Sequence, residues 1–289
     1  MEVNHREMPK KRVAVVQTGV TLGEPQENAG KCLSYLESAR SRGVDLLVFP
    51  EAMLTGYVVD RAEELSSIGL SLDADPLRRL IAATRSAGPS ILVGLIESSA
   101  DQYFNSVVGI ENGDLATVYR KAHLPYLGAD RFVARGTEPP SVVELSGVRV
   151  GIGICYDLRF PEWSRSLALG GAQLLAFPTN WPATGAAAPE ILPRCRAYEN
   201  QVYLAVANRN DAERGTEFVG RSQIVAPDGE VLADAGNGEG LWEALIDLSQ
   251  ADGARIVVEP GKVEIDPRRD RRPELYADHR LGVRGEVAP

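Results

Sequence analysis

Val148-Arg149-Val150-Gly151-Ile152-Gly153-Ile154-Cys155-Tyr156-Asp157-Leu158-Arg159-Phe160-Pro161-Glu162 is the stretch that decides the fold. An apolar run broken by two glycines ends at a thiol. A short polar turn follows, and Pro161 sits where a helix begins, since its missing N–H costs nothing at the first helical position. The pattern is strand, tight turn, helix. Such a junction lifts a nucleophile to the rim of a sheet and aims backbone N–H groups at a bound oxyanion. Cys155 is therefore a candidate nucleophile. The thiolate is the reactive form, so it needs a base or a positive charge nearby.

The same rhythm extends in both directions. Downstream, the spacing predicts a helix over 161–169, a strand over 173–177, a helix over 189–200 and a strand over 202–208. A last β stretch covers 221–247, with a turn at Pro227-Asp228-Gly229. Upstream come a strand at 13–17, a helix at 28–41 stopped by Gly43, and a strand at 44–49. A helix at 76–86 follows, with Asp75 as its N-cap, and then a strand at 91–96. Between these halves the period changes to two. Asn112-Gly113 closes one hairpin of 103–110 with 115–120, and Ser146-Gly147 closes another of 141–145 with 148–154. Two α–β halves joined through hairpins imply two packed sheets with helices outside. No low-complexity linker interrupts the chain. One domain over 1–289 is expected, its core at about 11–262, with the tail of about 263–289 lying on the body or on a second subunit.

Composition narrows the classes of function. The chain has 289 residues, 44% of them hydrophobic, and a formal net charge of -9. An acidic protein without broad basic patches is a poor nucleic-acid binder. No apolar run is long enough to span a membrane, and the polar first twelve residues carry no signal core. Three cysteines, Cys32, Cys155 and Cys195, suit neither a disulfide framework nor a zinc site. They fit a reducing cytoplasm. No His-rich or Cys-x-x-Cys grouping and no phosphate-binding glycine loop calls for a metal or another cofactor.

Three further residues could supply Cys155 with its base or charge. Glu51 ends the apolar strand at 44–49, where partial desolvation raises a carboxylate's pKa and makes it a usable base. Lys121 ends the hairpin strand at 115–120 and can stabilise an oxyanion as a point charge. His123, two residues on, is the rival, because a Cys–His pair is the commoner thiol arrangement. His5 and His279 lie in the terminal segments. On an extended segment Lys121 and His123 share a face, and the residues alone leave the choice open. Cys32 and Cys195 fall on helical faces and read as packing residues.

Phe49-Pro50-Glu51, Arg120-Lys121-Ala122-His123-Leu124 and Gly153 to Glu162 together resemble the Glu, Lys and Cys motifs of the nitrilase superfamily, the carbon–nitrogen hydrolases. Pro178-Thr179-Asn180-Trp181, Arg196-Ala197-Tyr198-Glu199-Asn200 and Gly220-Arg221-Ser222 add to the resemblance, which covers nearly the whole chain. The tail from Asp270 to Tyr276 is similar to that of bacterial amidases. The resemblance implies an α/β fold, a four-layer α-β-β-α sandwich that pairs into a homodimer or higher homo-oligomer. It implies that Cys155 attacks an amide carbon, that Glu51 is the base, and that Lys121 and the backbone N–H of Tyr156 hold the oxyanion. His123 then has a structural role. No cofactor and no metal are implied.

One departure stands out. Many members carry a second glutamate after the lysine motif. Here the stretch is Gly128-Ala129-Asp130-Arg131-Phe132, and Asp130 is the candidate second acid. Tyr57, Asn180 and Trp181 are candidates to contact substrate. The small-residue loop at 181–188 has no basic side chain to hold a substrate carboxylate, which favours a neutral or amino-bearing amide. The expected reaction is hydrolysis of a small carboxamide to acid and ammonia. An N-carbamoyl-amine hydrolase or a nitrilase would use the same triad, although nitrilases usually place tryptophan where Tyr156 stands. A non-catalytic ligand-binding member of the fold is the reading from a different class.

Overall fold

The computed structural model describes residues 10–85 and 88–276. His5, His279, Ser86 and the end of the tail lie outside the described residues. In chain order the elements are β1 (Lys10–Gln17), α1 (Pro25–Ser41), β2 (Leu46–Val48), α2 (Leu65–Ile68), α3 (Asp75–Ala83), β3 (Ser90–Ser99), β4 (Gln102–Glu111) and β5 (Asp114–Arg120). The second half holds β6 (Val142–Leu145), β7 (Val148–Ile152), α4 (Pro161–Leu169), β8 (Leu174–Pro178), α5 (Ala187–Asn200) and β9 (Tyr203–Ala207). A short hairpin of β10 (Ala212–Glu213) and β11 (Thr216–Glu217) precedes β12 (Gln223–Val225), β13 (Val231–Asp234) and β14 (Gly240–Asp247). The last elements are α6 (Ser249–Asp252), β15 (Ile256–Glu259), β16 (Val263–Ile265) and α7 (Pro273–Tyr276).

Two six-stranded sheets carry the fold, in the orders β14-β1-β2-β3-β4-β5 and β13-β12-β9-β8-β7-β6. Each has a parallel centre, β1-β2-β3 in one and β7-β8-β9 in the other, flanked by antiparallel strands. The alternation of side chains along each strand builds the layers. Val13, Val15, Leu46 and Val48 face Val150, Ile152, Leu174 and Ala205 in a core between the sheets. The odd-man residues of the same strands, Ala14, Val16 and Leu47, pack outward on Cys32 and Leu36 of α1 and on Leu77 and Leu80 of α3. On the opposite side Leu175, Phe177, Leu204 and Val206 pack on Trp163 and Leu167 of α4 and Ala197 of α5. The result is a four-layer α-β-β-α sandwich, the architecture that the resemblance implies. Each fully buried Leu or Val contributes about 1.5–3 kcal/mol over its exposed state, so three apolar layers hold the strand ends firmly.

Both expected hairpins form, with left-handed φ at Asn112 and Ser146 as their tight turns demand. Asp75 is not a cap: it is the first residue of α3, and Ala74 takes the N-cap position without a side-chain hydrogen bond. The chain divides between Gly253 and Ala254 into two compact units. The first contains both sheets. The second contains the β15–β16 hairpin, whose register shifts between Val257 and Glu259, and α7.

Candidate active site

Cys155 opens a 3-10 turn, Cys155–Arg159, directly after β7. Its φ is +43°, a left-handed conformation that costs a non-glycine residue about 1–3 kcal/mol and recurs where a nucleophile is held out from its strand. The turn is clamped by Asp157, whose Oδ2 accepts from the Ile154 N–H at 2.8 Å. Pro161 then starts α4. The backbone N–H of Asn180, at the end of β8, faces the sulphur and favours the thiolate.

Glu51 follows β2, and its side chain is completely buried. The loop carrying it crosses β3 at Gly94, where a Cβ would stand 2.4 Å from the Ala52 nitrogen. Only a glycine lets the two backbones meet there. Lys121 follows β5 and is equally buried; its Nζ donates to Glu51 Oε1 at 2.7 Å and to Asp130 Oδ2 at 2.5 Å. The candidate second acid is therefore brought onto the lysine. Asn105, on β4, donates its Nδ2 to both carboxylates, at 2.7 Å to Glu51 Oε1 and 2.8 Å to Asp130 Oδ1. Glu51 Oε2 is left buried with no protein partner. One oxygen of the carboxylate is thus anchored twice and the other is free to take a proton.

Asn105 was absent from the sequence-derived candidates. Its signal is the polar pair Asn105-Ser106 inside the apolar run from Tyr103 to Ile110; Ser106 in turn donates to the buried Glu97 at 2.7 Å.

The electrostatics follow from burial. Burial raises the Glu51 carboxyl above its usual range; Lys121 pulls it down and the charge on Asp130 pushes it up, with the upward shift prevailing. Burial alone would lower Lys121, but Asp130 and Glu51 together hold it well above the ordinary lysine value. Burial, reinforced by Glu51, pushes the Cys155 thiol well up, with Lys121 acting in the opposite direction. A thiol pushed up in this way favours its protonated form, so a reaction at this sulphur would have to pass the proton to a base.

His123 does not share a site with Lys121. The strand ends at Arg120 and the chain bends, so the period-two argument stops one residue too early. His123 Nδ1 lies 2.7 Å from Asp157 Oδ1, and its ring stacks on Phe160 at 3.8 Å and meets Trp163 edge-on. Tyr119 donates to the other oxygen of Asp157 at 2.7 Å.

The three residues expected around the substrate fall in different settings. Tyr57 is 2% exposed; its hydroxyl is 2.9 Å from Asp130 Oδ2 and 3.0 Å from the Leu127 carbonyl. Asn180 is buried with neither its Oδ1 nor its Nδ2 bonded to protein. Trp181 is buried, and its backbone N–H donates to Asn208 Oδ1 at 3.0 Å. Tyr156 packs edge-on against Phe160. A cavity of about 640 Å³ lies beside β4, β5 and β6. Tyr119 and Arg120 line it, and Glu51, Lys121 and Cys155 do not.

Residues 12–256 match the carbon–nitrogen hydrolase family. The chain belongs to that family. This carbon–nitrogen hydrolase is 35% identical over 267 residues to a nitrilase from Pyrococcus abyssi, covering 92% of this chain and 98% of the relative. It is 32% identical over 245 residues to the 2-oxoglutaramate amidase of Bacillus subtilis, covering 84% and 93%. Among solved structures it is similar to a variant of the amidase from Nesterenkonia sp. AN1, with TM-score 0.80, 27% identity and coverage of 95% and 98%. In that structure the acetamide moiety of fluoroacetamide is attached covalently to the active-site cysteine. The protein is thus a hydrolase acting on carbon–nitrogen bonds. Among its described residues no helix is long and apolar enough to cross a membrane.

Proposed function

We propose that the protein hydrolyses a small primary carboxamide to the carboxylic acid and ammonia through a thioester on Cys155. The observation that carries this reading is Glu51, with one oxygen fixed by Lys121 and Asn105 and the other buried and free. Glu51 Oε2 takes the thiol proton as Sγ attacks the amide carbon. Lys121 Nζ and the Tyr156 backbone N–H hold the developing oxyanion, a contribution of about 3–4 kcal/mol for a single donor in a comparable site. Glu51 returns the proton to the leaving nitrogen, and ammonia departs. A water then attacks the thioester with Glu51 again as base. The acid is released and the thiol restored.

Tyr156 after the nucleophile supports amide cleavage over nitrile hydrolysis, as do the names of the Bacillus subtilis and Nesterenkonia amidases, while the Pyrococcus abyssi relative is named a nitrilase. Asn180, with an unpaired buried carboxamide, is the substrate ligand best supported by the structure, since leaving such a group unbonded costs about 1–3 kcal/mol. Tyr57 acts through Asp130, and Trp181 forms the apolar wall behind Asn180. The absence of a basic residue at 181–188 favours a neutral or amino-bearing amide over a substrate carboxylate. Ile191 and Tyr198, exposed on α5, are the face on which a second copy would pack. The three free cysteines fit a cytoplasmic setting.

The test is ammonia release from a panel of small amides, nitriles and N-carbamoyl compounds, with Cys155→Ala as control. Selective turnover of amides, lost in the variant, is expected. Selective turnover of nitriles or carbamoyl compounds would move the substrate class and leave the triad in place. No turnover of any class would overturn the reading.

A further inference from the structure

Arg209 is the largest fully buried side chain among the described residues, and the chemistry above does not use it. It follows β9, in the sheet that carries Cys155. Its guanidinium lies 4.3 Å above the Phe218 ring. Nη2 donates to Asp211 Oδ2 at 2.6 Å and to the Val20 carbonyl at 3.0 Å, and Nε donates to Asp211 Oδ1 at 2.8 Å. Nη1 donates to Glu213 Oε1 at 2.9 Å. Glu213, itself 5% exposed, turns its second oxygen to a different segment. Oε2 accepts the backbone N–H of Tyr57 at 2.9 Å and that of Val58 at 2.5 Å.

A buried ion pair is weak evidence for stability, because taking two charges out of water costs about as much as their attraction returns. What this pair holds is informative. Two amides of one loop converge on a single carboxylate oxygen, and Tyr57 in that loop reaches Asp130 with its hydroxyl. Gly56, at φ +78°, makes the approach possible: a Cβ there would lie 2.7 Å from the Leu22 Cα and 2.9 Å from Glu213 Oε1. The hydrogen bonds form one path, from Arg209 to Glu213, to the Tyr57 backbone, to Asp130 and to Lys121.

We propose that Glu213, anchored by Arg209, is a positioning residue for the acid side of the active site: it fixes Tyr57, whose hydroxyl fixes Asp130 against Lys121. The turnover part of this inference rests on the amide-hydrolysis reading. Glutamine cannot replace Glu213. It offers one acceptor oxygen to a site that needs two, so its NH₂ must face either the guanidinium or the two backbone N–H groups. Aspartate keeps the charge and both acceptors on a shorter stem.

The experiment compares full-length Glu213→Gln, Glu213→Asp, Tyr57→Phe and the double variant Glu213→Gln with Tyr57→Phe. Two quantities are read: kcat and KM on an amide turned over by the native chain, and the pH profile of Cys155 alkylation by iodoacetamide in a Cys195→Ala background. Displacements of about 1 Å near reacting groups cost on the order of 100-fold. The expected loss in kcat is about 10-fold or more for Glu213→Gln and for Tyr57→Phe, with KM within about 2-fold, and a smaller loss for Glu213→Asp. Residues acting along one path are non-additive, so the double variant is expected within about 2-fold of the worse single. Wild-type kcat and alkylation profile in folded Glu213→Gln, or losses that multiply in the double variant, would overturn the proposal. If Glu213→Gln does not fold, Tyr57→Phe and Glu213→Asp decide it by the same two readouts. If the native chain turns over no amide, the proposed activity fails, and the alkylation profiles still decide: shifted profiles in Tyr57→Phe and Glu213→Gln support the path, unchanged ones overturn it.

Discussion

Lys121 and His123 stand two residues apart at the end of one strand, and each binds a buried carboxylate. Their settings nonetheless differ in kind. Lys121 is sealed from water between Glu51 and Asp130, so its charge acts at low dielectric and is worth far more than on a surface. His123 is about a third exposed and is held by stacking on Phe160 and by Asp157. Lys121 bridges Glu51 and Asp130. His123 ties the β5 end to the turn that carries Cys155. On the proposed mechanism, one arrangement concentrates charge where an oxyanion would form. The other fixes the backbone around it. On the proposed mechanism, burial with two opposite charges, rather than nearness to the cysteine in sequence, separates a reacting group from a bracing one.

The comparison can be sharpened by substitution. Cys155→Ala should abolish turnover with the fold retained, since a methyl fits where the thiol stood; ammonia release and circular dichroism check both halves, and residual turnover would remove covalent catalysis at this residue. Lys121→Ala should come next, with kcat lower by about 100- to 1,000-fold. Asp130→Asn tests the electrostatics. Asp130 raises the pKa of Glu51, and Glu51 must be ionised to act, so removing that charge lowers the Glu51 pKa. The acid limb of the kcat/KM profile should move to lower pH, and a limb that stays in place would show that Asp130 does not face the base. His123→Ala should have the smallest effect, below about 10-fold in kcat. Equal losses for Lys121→Ala and His123→Ala would collapse the distinction and restore a Cys–His mechanism.

Periodicity made most of the fold legible. The strands at 13–17 and 91–96 were too short by a few residues at their ends, because polar ends of strands carry no alternation to read. The β10–β11 hairpin was invisible for a related reason: two-residue strands have no period. The meeting of Glu51 with Lys121 was legible because each follows an apolar strand. Asn105 and Glu213 were not. Both earn their place by contacts across more than 50 residues of chain, and a polar side chain on a strand or in a loop does not announce a distant partner. The placement of His123 was misread because an extended segment was assumed past Arg120, where the chain in fact bends.

The members of the proposed triad come from different sheets. Glu51 and Lys121 end β2 and β5 of one, and Cys155 ends β7 of the other. The apolar filling between Val48, Leu92 and Val107 on one side and Val150, Ile152 and Ala176 on the other therefore acts as a spacer gauge for the reaction. Thinning it, as with Val150→Ala, will change the gap across which a proton must move before it melts any strand. Activity will fade at a lower temperature than secondary structure does, and an assay of turnover will report wear in the middle of the sandwich that spectroscopy of the backbone does not see.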